Sequence, residues 1–260
     1  MLRKINLAVD KPRNLNRIFR RRISYRNEVL AQLRLRNNLE TILYSRLHSL
    51  IRIHVKRQAD LLSQSRYLPN VAEAEFLQNL TTLMRKHYRR VFLAIYERNT
   101  NVYRNLQQKE DAFDFSNVNF DKLVTGYISK GKLRLAGISI TLRKKMQAII
   151  EKGREEGQTL AQMSRDLRKA APNLATFRAH TIARTETHNA ASWANHNYHV
   201  DISDSVGLEL AKKWVSVSDL RTRPAHSSAN GQTVRMHEKF LVGGANMDHA
   251  GDPAGGIKNT

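Results

Sequence analysis

The chain has 260 residues, with 44 Lys and Arg against 23 Asp and Glu and no cysteine; disulfides, thiolate metal ligands and cysteine nucleophiles are therefore excluded. A length that allows one large or two modest domains, with 41% apolar residues, argues against disorder of the whole chain. No run approaches the roughly 18 apolar residues of a membrane span and the start at Met1 lacks a signal peptide's apolar core, so the sequence predicts a protein made soluble in the cytoplasm, with no membrane partner.

The charge is unevenly placed. Residues 1–170 carry 35 Lys and Arg against 15 acids, and residues 171–260 carry 9 against 8. A cationic field of this kind favours a polyanion, because each phosphate neutralised releases a condensed counterion. Nucleic acid is the leading partner. The alternative is that basic faces only keep the helices soluble. An anionic membrane fits less well, since no segment pairs its charges with a bulky Trp/Phe face.

In chain order, residues 14–67 read as a helix after Pro12, with Leu39, Ile42, Leu43, Leu47, Leu50, Ile51 and Val55 spaced by three and four and arginines between them. Pro69-Asn70 breaks it. A second helix, 71–107, follows on Phe76, Leu80, Leu83, Met84, Tyr88, Val91, Ile95 and Tyr96, and the short connection suggests an antiparallel hairpin or a pair packed on another protein. Residues 111–120 read as a connection. A basic stretch with Gly126, Gly131 and Gly137 then precedes a helix on Leu142, Met146, Ile149 and Ile150. Thr159 and Gln162 fit a capping box that opens a helix closed by Pro172-Asn173, and another helix is predicted over 175–198.

Beyond Gly207 the pattern shortens. Lys213–Val217 alternates like a strand, Asn230-Gly231 signals a turn, and Gln232–Met236 reads as the next strand. Gly243-Gly244 and Gly251-Asp252-Pro253 mark irregular chain. The predicted fold is mainly α with a small α+β C-terminal domain: long amphipathic helices, then helices and short antiparallel strands. The domains read as 1–110 (basic helical arm), 111–137 (connection) and 138–260 (C-terminal domain).

From about Ile138 to Lys258 the sequence resembles the phage Mu F-like minor head protein (head morphogenesis) family. The resemblance rests on an ordered set: Gly157-Gln-Thr-Leu-Ala161, Arg178-Ala-His-Thr-Ile-Ala-Arg-Thr-Glu186, Lys212-Lys-Trp-Val-Ser216, Asp219-Leu-Arg-Thr-Arg-Pro-Ala-His226, Asn230-Gly-Gln232, Phe240 and Gly251-Asp-Pro253. It implies a structural component of a tailed bacteriophage head. The implied location is the capsid interior near the portal vertex, reached from the host cytoplasm during assembly. The implied partners are the portal protein, packaged double-stranded DNA, and the major capsid or scaffold protein, with a role in head assembly and DNA ejection. The Cys-bearing ending that many relatives place after Gly-Asp-Pro has no counterpart here, so a Cys/His metal site does not carry over.

The residues assigned to the motif core are Arg178, Arg184, Thr185, Glu186, Trp214, Asp219, Arg221, Arg223, His226, Gly231, Gln232, Asp252 and Pro253. In a helix Arg184 and Glu186 point apart, and His180, Arg184 and His188 share a face, with Asp219 as the expected partner of Arg184. Asp219 is also read as capping a short helix from Pro224. Trp193 and Trp214 are core anchors. Seven of ten histidines follow residue 171, making His188, His196, His199 and His226, with Asp201 or Asp219, the candidate metal ligands; no spacing matches a known ligand set and HExxH is absent. No cofactor is expected. Polyanion contact is assigned to Arg20, Arg21, Arg22, Arg85, Lys86, Arg89, Arg90, Arg143, Lys144 and Lys145, through the duplex backbone, because Tyr25, Tyr88 and Tyr103 do not alternate with cations as a stacking platform would. The alternative is a metal- or nucleotide-dependent nuclease or transferase built on Arg184, Glu186, Asp219 and His226. Against it, the sequence holds no paired carboxylates, nucleophile elbow or phosphate loop at a spacing such chemistry needs.

Overall fold

The computed structural model describes residues 25–65, 68–107, 115–207, 209–216 and 222–256. Four long helices, α1 (Tyr25–Leu62), α2 (Asn70–Gln107), α3 (Phe120–Glu155) and α4 (Leu160–Val206), come first. Then follow β1 (Ala211–Lys213), α5 (Pro224–Ala229), β2 (Thr233–Arg235), β3 (Phe240–Val242), β4 (Ala245–Met247) and a 3-10 turn at Pro253–Gly255. The mainly helical class with short antiparallel strands is thus the one the sequence predicts.

The chain divides into two compact units, and each long helix contributes to both. The bundle unit comprises Asn38–Arg89 and Val124–Thr187; the lobe unit comprises the described parts of Met1–Asn37, Arg90–Leu123 and His188–Thr260.

In the bundle unit four helical segments run up, down, up, down. Arg57 of α1 pairs with Glu75 of α2, and Gln58 donates to the Pro69 carbonyl, so these two helices are antiparallel. α2 and α3 are antiparallel as well, because Glu73 accepts from Ser139 while Arg85 donates to Thr125. Arg134 of α3 faces Glu186 of α4 and Lys145 covers Phe177, again with opposed directions. α4 returns beside α1, where Ser164 donates to the Ala59 carbonyl at 2.6 Å and Arg168 to Asp60 at 2.9 Å. The core follows the spacing of three and four: Leu43, Leu47, Ile51 and Val55 are buried on α1, Phe76, Leu80 and Met84 on α2, and Leu142 and Met146 on α3. α4 contributes mainly Ala171, Ala175, Ala179 and Ala183, small side chains that let its backbone approach closely. Each large side chain buried here stabilises by roughly 1.5–3 kcal/mol. Ile42, placed by the sequence in the α1 stripe, is 39% exposed, because the buried line runs Leu39, Leu43, Leu47 and Ile51 at steps of four.

Several helix boundaries differ from the sequence reading, two of them by more than a turn or two. α3 starts at Phe120 and passes through Gly126, Gly131 and Gly137, whereas their helix-breaking tendency predicts a start beyond them. α4 does not stop at Pro172-Asn173: Pro172 lies inside a 47-residue helix. The proline leaves the Arg168 carbonyl without its helical donor, a cost of about 3 kcal/mol. Burial of Ala171 and Ala175 on either side offsets it. The expected capping box is present: Thr159 N–H donates to Gln162 Oε1 at 2.7 Å, and Gln162 N–H to Thr159 Oγ1 at 3.3 Å.

In the lobe unit the last turns of α2 and α4 run parallel. Asn99 bonds Asn195 at 3.0 Å and Thr100 bonds Tyr198 at 3.2 Å. Tyr96 centres an aromatic cluster with Tyr198 and Phe120, and Ile202, Leu210 and Met236 close it, joining helix to sheet. β1 pairs antiparallel with β2, Lys212 opposite Val234, and β3 with β4, Leu241 opposite Asn246. The strand expected from Lys213 is instead Ala211–Lys213, with Trp214 continuing the ladder by accepting from Gly231 N–H and donating to the Gln232 carbonyl. Gly243-Gly244, read as irregular, turns a hairpin: φ values of 58° and 83° suit the tight turn that matches strand twist. A second core gathers Trp214, Phe240, Val242, Met247 and Ala229.

A Cβ added at Gly126 or Gly137 meets no atom within 4 Å. Gly126→Ala and Gly137→Ala therefore each raise stability by about 0.5–1 kcal/mol through helix propensity, read as a higher urea midpoint.

Candidate functional site

The family-like motifs fall in both units, and the polar side chains of Glu186, Asn230, Gln232 and Asp252 are occupied by the fold itself. On α4, Arg184 and Thr185 are exposed while Glu186 is buried, as positions two apart in a helix require. Tyr88 donates to Glu186 Oε2 at 2.7 Å, and Arg134 Nε stands 3.6 Å from Oε1. Burial and the adjacent carboxylate push the Tyr88 phenol far above its ordinary pKa, so it stays a donor. Burial opposes the charge on Arg134, yet Glu186 and the neighbouring tyrosines outweigh it and raise its pKa. The Tyr127 ring stands edge-on to Tyr88 at 4.7 Å and beneath Arg134 at 5.4 Å. One residue on, Thr187 shares a buried 2.9 Å hydrogen bond with His87. Arg178 is half-buried, and burial lowers its pKa.

In the lobe unit the motif residues bind backbone. Asn230 Oδ1 accepts from Ser216 N–H at 3.0 Å, and Gln232 Oε1 accepts from Leu241 N–H at 2.8 Å, tying the β1–β2 pair to the β3–β4 hairpin. Asp252 uses both oxygens on amides, Ala254 N–H at 3.0 Å and Asp248 N–H at 2.8 Å, and so caps the turn that Pro253 begins. Before it, Gly251 has φ +80°, and a Cβ there would fall on the Asn189 carboxamide. Only glycine satisfies both constraints. Lys212 donates to the Asp248 carbonyl at 3.0 Å and lies over the Phe240 ring. Trp214 and Trp193 are buried, as anchors should be, and His226 packs against Trp214 with ring centres 5.5 Å apart. α5 starts at Pro224 as expected, but the residue before it is Arg223, whose carbonyl accepts from His226 and Ser227 N–H and whose side chain makes no cap bond. Asp219 and Arg221 lie outside the described residues.

The four candidate metal ligands have separate surroundings. His188 is exposed, 3.4 Å from Arg36. His199 is buried, with Nδ1 2.6 Å from the Asn195 carbonyl; a carbonyl only accepts, so Nδ1 carries the proton. His196 lies 5.7 Å, ring to ring, from His249, which also packs edge-on against Trp193. Among the described residues no three His, Asp or Glu side chains come together as a ligand set. Asp252, which faces the His196–His249 pair, has both oxygens engaged by amides. The donors among the described residues therefore make no ligand set of the kind a metal ion needs.

Of the assigned cations, Arg85, Lys86, Arg89, Lys144 and Lys145 are exposed and Arg90 is half-buried. Arg143 turns inward to Glu73 at 2.8 Å and the Leu68 carbonyl at 3.1 Å. Arg20, Arg21 and Arg22 lie outside the described residues. Tyr88, Arg134, Asn189 and His249 are site residues that sequence reasoning missed. Only Asn189 had a local signal, since Gly251 in a Gly-Asp-Pro element implies a close neighbour. The others become partners only through helix packing.

Residues 144–250 match the family described as Phage Mu protein F like protein, a stretch that begins in α3 and takes in α4, α5 and the four strands. It falls within the part of the chain that carries the sequence resemblance. No curated protein and no solved structure matches the chain.

Removing the Glu186 carboxylate as Glu186→Ala strands a buried tyrosine hydroxyl and a guanidinium, so the urea-unfolding free energy drops by about 3–5 kcal/mol. Tyr88→Phe, which deletes one donor, costs about 1–3 kcal/mol. The buried histidines set the acid limit. Burial pushes His54 down to about 4 and His196 down to about 3, and lowers His199 and His249. They stay neutral in the fold and protonate on unfolding below about 6.5. Stability is complete above that pH and falls as pH drops from 6.5 to 5, by roughly 1 kcal/mol per pH unit for each of His54 and His196, with His199 and His249 acting in the same direction. Urea midpoints between pH 8 and 5 should be flat and then descend, and His54→Leu should make the descent shallower.

Proposed function

We propose that a protein whose residues 144–250 carry this Mu F-like match is a structural minor head protein of a tailed bacteriophage. It associates with the portal and with packaged duplex DNA during head assembly, inside the capsid near the portal vertex, and turns over no substrate. The observation that carries the reading is the occupancy of the motif atoms. Glu186 holds Tyr88, Gln232 and Asp252 hold backbone amides, and Asn230 does the same beside them. Groups fixed in this way brace a scaffold. A catalytic carboxylate needs a free oxygen facing substrate.

The DNA part rests on charge: a net +21 concentrated before residue 171, with Arg85, Lys86 and Arg89 exposed along one helix of the bundle unit. Phosphate contact by such residues positions a duplex without reading its sequence.

Co-expression with the portal protein encoded beside it, followed by size-exclusion chromatography, should yield a stable complex. Separate elution at all concentrations would remove the portal role. Duplex binding, followed by fluorescence anisotropy, should weaken steeply from low to moderate salt and again when Arg20, Arg21 and Arg22 are changed to Ala. A salt-independent affinity, or none lost in that variant, would remove the DNA role.

A further inference from the structure

Between Glu151 of α3 and Asp166 of α4 at one end and Glu186 at the other, the α3–α4 stretch of the bundle unit carries Lys and Arg without acids around an apolar centre. From residue 124 to 150, α3 has six Lys and Arg and no acid; from 167 to 185, α4 has four and no acid. Several are already held within the fold: Arg134 faces Glu186, Arg143 is bound by Glu73, and Arg168 by Asp60. Lys144, Lys145 and Arg184 remain exposed. Among them stand Phe177, 64% exposed, and Ile140, 54% exposed.

The register brings these residues together. Lys145 lies 5.6 Å over the Phe177 ring, and the Arg134–Glu186 pair fixes the antiparallel alignment two to three turns away. Ile140 therefore stands level with Thr181, one turn from Phe177 on the neighbouring helix. Arg184 follows Phe177 by two turns on the same side of α4, and Lys144 follows Ile140 by one turn on α3. The bundle core does not need Phe177, since Ala171, Ala175 and Ala179 already form the buried line of α4. Arg184 is the exposed member of a motif whose Glu186 is buried and bound by Tyr88.

We propose that this α3–α4 face docks an acidic amphipathic helix of a partner protein, its apolar side on Phe177 and Ile140 and its carboxylates on Lys144, Lys145 and Arg184. An apolar centre with a charged rim is the anatomy of a protein interface, and a Phe in that position is a typical anchor. Phosphates would pair with the cations but leave the Phe177 and Ile140 surface wet, so a duplex fits the rim and not the centre. A helix lying along two others presents apolar residues at i, i+4 and i+7 to their seam, matching the one-turn spacing of this pair. Lys144 and Lys145 thus pass from the duplex backbone to a protein partner, and the portal assignment and the other DNA-contact cations stand as proposed.

The test uses the full chain and a fluorescent, stapled helical peptide with leucines at i, i+4 and i+7 flanked by glutamates. A scrambled peptide of the same composition and a duplex DNA serve as competitors. The ordered peptide should bind at least about tenfold more tightly than the scrambled one, and Phe177→Ser or the pair Lys144→Glu and Lys145→Glu should weaken it by about tenfold or more. All three positions are exposed, so circular dichroism should be unchanged. Duplex DNA should not displace the peptide. Equal binding of the scrambled sequence, or no loss on Phe177→Ser, overturns the proposal. Displacement by duplex at comparable concentration assigns the face to nucleic acid and overturns it equally.

Discussion

The bundle unit depends on one buried charge. Glu186 lies on the inner side of α4, where an unpaired carboxylate would cost several kcal/mol, and its position is tolerable only because Tyr88 and Arg134 arrive from two other helices. The constraint is directional. Sliding α2 or α3 by one turn moves a partner by about 5.4 Å and leaves the carboxylate bare. Apolar stripes of leucine and alanine tolerate several registers; a hydrogen-bonded acid tolerates one. With α2, α3 and α4 fixed in this way, the remaining contacts of α1, through Asp60 and the Ala59 carbonyl, complete the set.

The lobe unit meets the same demand on a smaller scale. Its strands are three residues each, too short to satisfy their own backbone, and side chains supply what the ladders lack. Asn230, Gln232, Glu238 and Asp252 each accept from a main-chain amide. In both units, then, these polar side chains act as fixed braces.

How much of this was legible beforehand varies with the range of the interaction. α1 and α2, their break at Pro69, the capping box at Thr159 and the buried tryptophans all follow from local pattern. The resemblance over the C-terminal half was visible as an ordered series of short motifs. What local pattern misjudged was strength. Glycine and proline signals at Gly137 and Pro172 read as helix ends, yet burial on neighbouring helices outweighs a penalty of about 1–3 kcal/mol. The Gly243-Gly244 hairpin was missed because its strands are brief and alternate little. The partners of Glu186, 52 and 98 residues away in the chain, leave no local trace at all.

The sharing of α1 to α4 between the two units has a consequence for how such a chain can change over time. A protein of separate domains can lose, gain or trade one of them at a linker. Here α2 and α4 each place buried residues in both units, Met84 and Tyr96 on the one and Ala183 and Tyr198 on the other, so the two units must be inherited together. Variation in length is then channelled into the connections between helices, and the surfaces that meet partners must diverge by substitution within helices of fixed length.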